Sequence, residues 1–509
     1  MVAAGILASR LVGFARSAAV AHFLGNGAVA GAWTAAFKIP NFLQNLFGEG
    51  ALSASFIPVY AHLESRGEHD AARRLAGAVA TVLALITALL VALGVLATPW
   101  LIDLIAPGFS GETRELTIRL VRIAFPGTGI LVLSAWCLGV LNSHRRFFLS
   151  YAAPVAWNLA IIAAFLIHRG TTDLSRLAEL AMWGAVAGSV LQLAVQLPTV
   201  LGILGGLRLS LGRGSEALGT VTRNFAPVAL ARGVTQVSGY VDTLIASLIS
   251  ASAVASLGYA QLVATLPVSL FGMSVSASEL PEMARATGSG EEVATTVRAR
   301  LDRGLAQVAY FVVPSAVAFI AIGHVLAALL FESGRFGRAD SITVWSILAA
   351  SGVGLLGATM ARVYSSSYYA LRDTRTPLRY ALVRVTIGLV LGWLLGVWLP
   401  QALGISDRWA TAGLALGAGI AAWVELGLLR HGMNERIGRT GVAAGLLARL
   451  ATAALVAAVA AWGMSGTLTA LGPKLGGLLV AGTFGIMYLF GTHLLAVPQA
   501  RGLLDRLKR

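Results

Sequence analysis

The chain has 509 residues, of which 57% are hydrophobic and only 12% charged, and its mean hydropathy is +0.78. A water-soluble domain carries roughly 25% charged residues, so much of this surface must meet lipid. The net charge of +15 sits in short loops between apolar runs, which argues against a nucleic-acid surface, and the single cysteine, Cys137, excludes a disulfide framework or thiolate metal centre.

The first apolar run, 2–24, contains Arg10 and Arg16 and lacks a convincing cleavage site, so it reads as a membrane helix and not a signal peptide. Further runs follow at 28–62, 75–104, 116–142, 150–168, 178–205, 218–250, 254–284, 303–330, 340–371, 377–399, 409–430, 442–465 and 475–497. Each reaches the length of about 20 residues that crosses a bilayer. The expected fold is therefore an all-α polytopic membrane protein with about fourteen transmembrane helices. With the N-terminus inside, the cytoplasmic loops include Arg66, Arg73, Arg74, Arg145, Arg146, Arg298, Arg300, Arg372 and Arg436, and the tail adds Arg501, Arg506, Lys508 and Arg509. The opposite loops hold only Arg114, Arg169, Arg176, Arg335, Arg338, Arg408 and Lys474. Cytoplasmic loops carry the Lys/Arg excess, which predicts an N-in, C-in topology. The same cations are expected to meet anionic membrane lipids.

The two halves resemble each other in order. Ser53-Ala54-Ser55-Phe56-Ile57-Pro58 returns as Ser276-Ala277-Ser278-Glu279-Leu280-Pro281, and the turn at Arg145 and Pro154 returns at Arg372 and Pro377. The offset is about 225 residues, enough for six helices, and six crossings bring the chain back to the same side, as in parallel repeats. The expected architecture is two parallel six-helix lobes, 1–215 and 216–431, around a central cavity. Two extra helices and a basic tail occupy 440–509.

An ionisable side chain at the centre of a span costs at least about 2.5–3.5 kcal/mol and marks a cavity or a partner. Lys38, Asn41, Asn45 and Glu49 are spaced three or four apart, which places them on one helical face beside Pro40. Arg10 and Arg16 sit about 120° apart on an ideal helix, so both reach a cavity only if it is wide or the helix bends. Arg232 and Asp242 lie in the seventh expected span, Arg362 in the tenth and Glu425 in the twelfth. Arginine presents a rigid donor fork that matches phosphate oxygens, so several in one low-dielectric cavity point to a phosphate or pyrophosphate ligand. Mutual ion pairing with Asp242, Glu49 or Glu425 is the structural alternative. Glu425 is also a candidate proton-coupling carboxylate. No glycine precedes a Lys-Ser/Thr pair in nucleotide-loop spacing, and no His/Cys cluster or hydrolytic triad is recognisable. The sequence therefore predicts a transporter with no cofactor and no metal site, not an enzyme.

The runs Ala8-Ser9-Arg10-Leu11-Val12-Gly13-Phe14-Ala15-Arg16, Ala36-Phe37-Lys38-Ile39-Pro40-Asn41 and Phe47-Gly48-Glu49-Gly50-Ala51 resemble the MurJ (MviN) lipid II flippase family. Ala106-Pro107-Gly108-Phe109 and Tyr369-Ala370-Leu371-Arg372-Asp373 extend the match along the chain. The resemblance implies a MATE-like fold that alternates between inward- and outward-open states in the bacterial inner membrane. It also implies a basic cavity that holds the diphosphate of lipid II during peptidoglycan synthesis, and a groove on the last two helices for the polyprenyl tail. Arg10, Arg16, Lys38, Asn41 and Glu49 occupy matching positions, and Arg362 matches a position that is basic in relatives. The chain departs from the family at Gly31, where relatives are acidic, and at Gln44-Asn45, where they carry an arginine. It departs again at Gln261-Leu262 and Thr265 in helix 8, and at Gly388 and Gly392, where some members supply sodium ligands beside the position of Asp242. Arg232 is expected to replace the cation missing from helix 8, leaving Asp242 and Glu425 as candidate ion-coupling groups. Two other readings stay open: a flippase for another polyprenyl-linked glycan, such as an O-antigen unit, and a transport-dead paralogue that scaffolds cell-wall synthesis proteins.

Overall fold

Acyl chains offer no hydrogen bonds, so a membrane-embedded backbone has to satisfy itself within helices. The computed structural model describes residues 2–47, 49–212, 214–285 and 290–500, and these fold almost wholly into α-helix. Among the described residues, eleven helices are long and apolar enough to cross a membrane. The chain is a multi-pass membrane protein. Two compact units divide it, Met1–Ala255 and Ser256–Arg509.

The first unit holds α1 (Val2–Leu24), α2 (Ala28–Phe47), α3 (Glu49–Ser65), α4 (His69–Ile105), α5 (Gly111–Ser143), α6 (Phe147–Ala152), α7 (Pro154–Ile167), α8 (Leu174–Leu204) and α9 (Glu216–Ile249). The run 28–62, expected as one span, is thus two helices, and Gly48 between them lies outside the described residues. α5 is the buried axis, with α2, α3, α4 and α8 packed around it. Leu52, Phe56 and Tyr60 of α3 meet Leu75 and Val79 of α4 and Trp136 of α5, and the Trp136 indole donates to the Ala76 carbonyl at 3.2 Å. Apolar packing drives helix association weakly in lipid, so buried polar side chains add interhelical bonds. Gln192 Nε2 donates to Ser134 Oγ at 2.9 Å, and Ser134 Oγ donates to Gln196 Oε1 at 2.6 Å. The outer face of α4 shows Leu85, Leu89, Leu93, Leu96 and Trp100, the side chains that lipid accepts.

The second unit begins within α10 (Ala251–Pro267), whose π-helical continuation Val268–Gly272 leads into α11 (Met273–Ala284). Then come α12 (Gly290–Phe331), α13 (Arg338–Ala370), α14 (Arg375–Trp393), a π-helical turn Leu394–Trp398, α15 (Leu399–Leu403), α16 (Asp407–Ile437), α17 (Ala444–Leu468) and α18 (Pro473–Leu494). α13 packs against α12 and α16, and α17 and α18 pair with each other on α12. The backbones of α13 and α16 nearly touch: a Cβ placed on Gly354 would stand 2.2 Å from the Gly419 Cα. That is the close approach small residues permit between membrane helices.

The turns singled out by the internal repeat share one backbone conformation. Arg145 and Arg372 both adopt positive φ, 58° and 60°. Arg145 N–H donates to Asn142 and Arg146 N–H to Leu141, while Arg372 N–H donates to Tyr369 and Asp373 N–H to Tyr368. The same αL closure follows α18 at Ala496. It is therefore the recurrence at matching sequence positions, not the motif itself, that ties the two turns together.

Candidate functional site

In the first unit, α1 carries Arg10, which is exposed, and Arg16, which is half-buried. The Arg16 guanidinium carbon lies 5.1 Å from the centre of the Trp157 ring. Trp157 meets Phe37 edge-on at 6.0 Å, Phe37 meets Trp33 at 4.9 Å, and Trp33 meets Phe165 at 5.5 Å. A cation on an aromatic face gains from the ring quadrupole, so α2 and α7 together build an aromatic floor for Arg16.

Lys38 is half-buried on α2, within electrostatic reach of Asp242 on α9. Its carbonyl accepts a 2.8 Å hydrogen bond from Tyr240 Oη, and the Tyr240 ring meets Phe42 edge-on at 5.8 Å. α9 thereby delivers an acid and a phenol to the polar side of α2. Asn41 is exposed and lines a shallow recess shared with Trp157, Thr128 and Ser189. The side chains of Glu49 and Arg232 lie outside the described residues.

The second unit gathers a different set. Arg362 is exposed on α13, Glu425 is buried on α16, and Arg384 of α14 approaches Glu425 at 3.1 Å. Arg362 lies within electrostatic reach of both. The structure thus brings Lys38 to Asp242 within one unit and Arg362 to Glu425 within the other.

Sequence reasoning missed three contributors. Arg384 stands inside the expected span 377–399, and the rule that an intramembrane charge marks function would have found it. Trp157 and Tyr240 carry no such signal, because their roles depend on which helix they face. The departures at Gly31, Gly388 and Gly392 have packing consequences. A Cβ on Gly31 would come 2.1 Å from the Ala251 carbonyl oxygen, one on Gly388 would meet the Ala421 Cβ at 3.7 Å, and Gly392 lies against Gly417.

The chain is 33% identical over 433 residues to the "Probable lipid II flippase MurJ" of Rhizobium tropici, covering 83% of this chain and 78% of that one. It is 31% identical to the "Lipid II flippase MurJ" of Burkholderia cenocepacia, covering 84% and 82%. Among solved structures it is similar to a lipid II flippase MurJ in an inward closed conformation, with a TM-score of 0.77 at 21% identity over 99% of both chains. It also shares its fold with an inward-facing MATE family multidrug transporter, with a TM-score of 0.64 at 16% identity over 84% and 95% of the chains. The family description "Lipid II flippase MurJ" matches residues 20–475, and with that span the chain belongs to the MurJ family.

Proposed function

We propose that this protein carries lipid II from the cytoplasmic to the periplasmic leaflet of the bacterial inner membrane by alternating access. The observation that carries the reading is the placement of cations on membrane helices of a MurJ-family chain. Arg10 and Arg16 lie on α1, Lys38 on α2 and Arg362 on α13, among apolar side chains where a cation at membrane depth would need a partner. Their chemistry fits a diphosphate, with Asn41, Glu49 and Arg232 completing the polar lining and the last two helices offering a path for the polyprenyl tail. The moving bodies are the lobes 1–215 and 216–431, with 440–509 attached, in an N-in, C-in topology. Asp242 and Glu425 balance the cavity charge as the substrate enters and leaves. Transport requires the inward and outward states to bind the substrate differently. Anionic lipids on the cytoplasmic side and cell-wall synthesis proteins are the further partners.

Complementation of a conditional lipid II flippase depletion strain tests this. Wild type should rescue growth, and an Arg10→Ala protein expressed at the same level should not. Loss of one phosphate-facing arginine removes roughly 1.5–3 kcal/mol of charge-assisted hydrogen bonding, a ten- to hundredfold change in affinity. The Gln261-Leu262 departure favours one rival, a flippase for another polyprenyl-diphosphate glycan. A well-expressed wild type that fails to rescue would put that rival ahead.

A further inference from the structure

Near the middle of α14, between Val383 and Val385, Arg384 leans on Glu425 of α16. A plain strut between two helices would bury both partners and align them. Here Glu425 and the contacting Nε are buried, but the rest of the Arg384 side chain is not, and the two groups are not aligned. The Glu425 side chain is 12% exposed and that of Arg384 37%. The closest approach, Arg384 Nε to Glu425 Oε2 at 3.1 Å, is not aligned as a hydrogen bond, and Nε has no bonded partner among the described residues. Arginine binds a carboxylate best through a bidentate fork, and that engagement is missing here.

The charge balance is also uneven. Arg362 and Arg384 both act on the single carboxylate of Glu425. Arg362 lies on a polar face of α13 with Ser366 and Tyr369, and both Arg362 and Tyr369 are exposed. Such a face suits water or a polar ligand, and a surplus cation at membrane depth calls for a second anion.

We propose that Arg362 and Arg384 form a phosphate-binding pair in the second unit, with Glu425 as the exchangeable counter-ion that a ligand phosphate displaces from Arg384. This rests on the proposed carriage of a lipid-linked diphosphate and adds to it. In the empty site Glu425 holds the Arg384 guanidinium in place; in the filled site a phosphate oxygen takes it over. The competing carboxylate then lowers affinity and assists release, whereas a purely structural carboxylate would have no effect on binding. The shared chemistry is a phosphate anion, supplied by a polyprenyl diphosphate or by an ordinary anionic headgroup.

The test uses the full-length protein in phosphatidylcholine nanodiscs, titrated with undecaprenyl diphosphate and, separately, with phosphatidylglycerol. Glu425→Gln should tighten undecaprenyl diphosphate binding severalfold, and Arg384→Ala should weaken it about tenfold, the loss of one good charge-assisted bond. The double variant should gain less over Arg384→Ala than Glu425→Gln gains over wild type, because the counter-ion contacts Arg384 and only acts on Arg362 from further away. Weaker or unchanged binding in Glu425→Gln overturns the proposal, as does a gain in the Arg384→Ala background equal to that in wild type. Should Arg384→Ala fail to accumulate, Arg384→Lys takes its place and should still lose affinity, since it keeps the charge and loses the fork. An equal Glu425→Gln gain for phosphatidylglycerol would support the anion site with a membrane headgroup as occupant. Failed rescue of the depletion strain, with these affinity shifts intact, would sink the lipid II reading and leave the counter-ion standing.

Discussion

Gly31 shows how one side chain can close off an option that relatives use. The resemblance places an acidic residue at this position, yet here even a methyl group would meet the Ala251 carbonyl at 2.1 Å. Something must shift, and the obstacle is backbone. Gly31→Ala is therefore expected to lower stability by about 1–3 kcal/mol, the usual cost of overpacking, and Gly31→Asp by more. Thermal unfolding of the purified protein in detergent measures both. An unchanged midpoint for Gly31→Ala would mean that α2 gives way without strain. At this scale the sequence speaks most clearly where charge meets an apolar run: Arg10, Arg16, Lys38 and Arg362 stand out because a charge at membrane depth is expensive. Their neighbours do not. Nothing in the sequence says that Trp157 lies under Arg16, or that Asp242 comes within reach of Lys38.

Among the elements, the α13–α14 turn carries the most specific polar construction. Asp373 Oδ1 accepts from the backbone N–H groups of Arg375 and Thr376, both at 3.0 Å, and Oδ2 accepts from Thr376 Oγ1 at 2.6 Å and Arg436 Nη2 at 2.7 Å. The Arg436 guanidinium also lies 5.0 Å above the Tyr368 ring. These bonds, the Thr376 hydroxyl first, hold the Asp373 carboxyl well below its ordinary value of 3.8. A carboxylate with a depressed pKa stabilises the fold above its unfolded pKa, and that contribution fades as pH falls toward the folded one. The stability gap between wild type and Asp373→Asn should therefore be constant from neutral pH down to about 5 and shrink only below about 4. Melting curves across that range decide it, and a gap that closes near pH 6 would point to a histidine instead. The helices themselves were largely readable from apolar length, but the π-helical turns at Val268–Gly272 and Leu394–Trp398 were not. Those turns absorb a residue of register demanded by packing, a requirement local composition does not encode.

At the scale of the molecule, the all-α membrane architecture was legible because apolar runs of about 20 residues satisfy their backbone in lipid as helices, whereas a membrane barrel alternates apolar and polar residues in shorter strands. The helix-by-helix grouping was less so. α9, which opens the second half of the sequence repeat, packs on α2, α3 and α4 and lies in the compact unit Met1–Ala255. A fragment of residues 1–255 should accordingly give a protease-resistant core in membranes, and one of residues 1–215, lacking α9, should be digested. Equal resistance of the two fragments would show that α9 adds nothing to that unit.

That membership of α9 has a consequence for synthesis. Chains emerge from the ribosome at about 5–20 residues per second, so the stretch from 215 to 255 takes on the order of 2–8 seconds. Throughout that interval the earlier helices are already in the bilayer, with the polar side of α2 still waiting for Tyr240 and Asp242. A half-built unit with Lys38 uncovered is a target for membrane quality-control proteases and a client for an insertase. Slowing translation just before α9 should therefore lower the yield of this protein more than the same delay placed after residue 255.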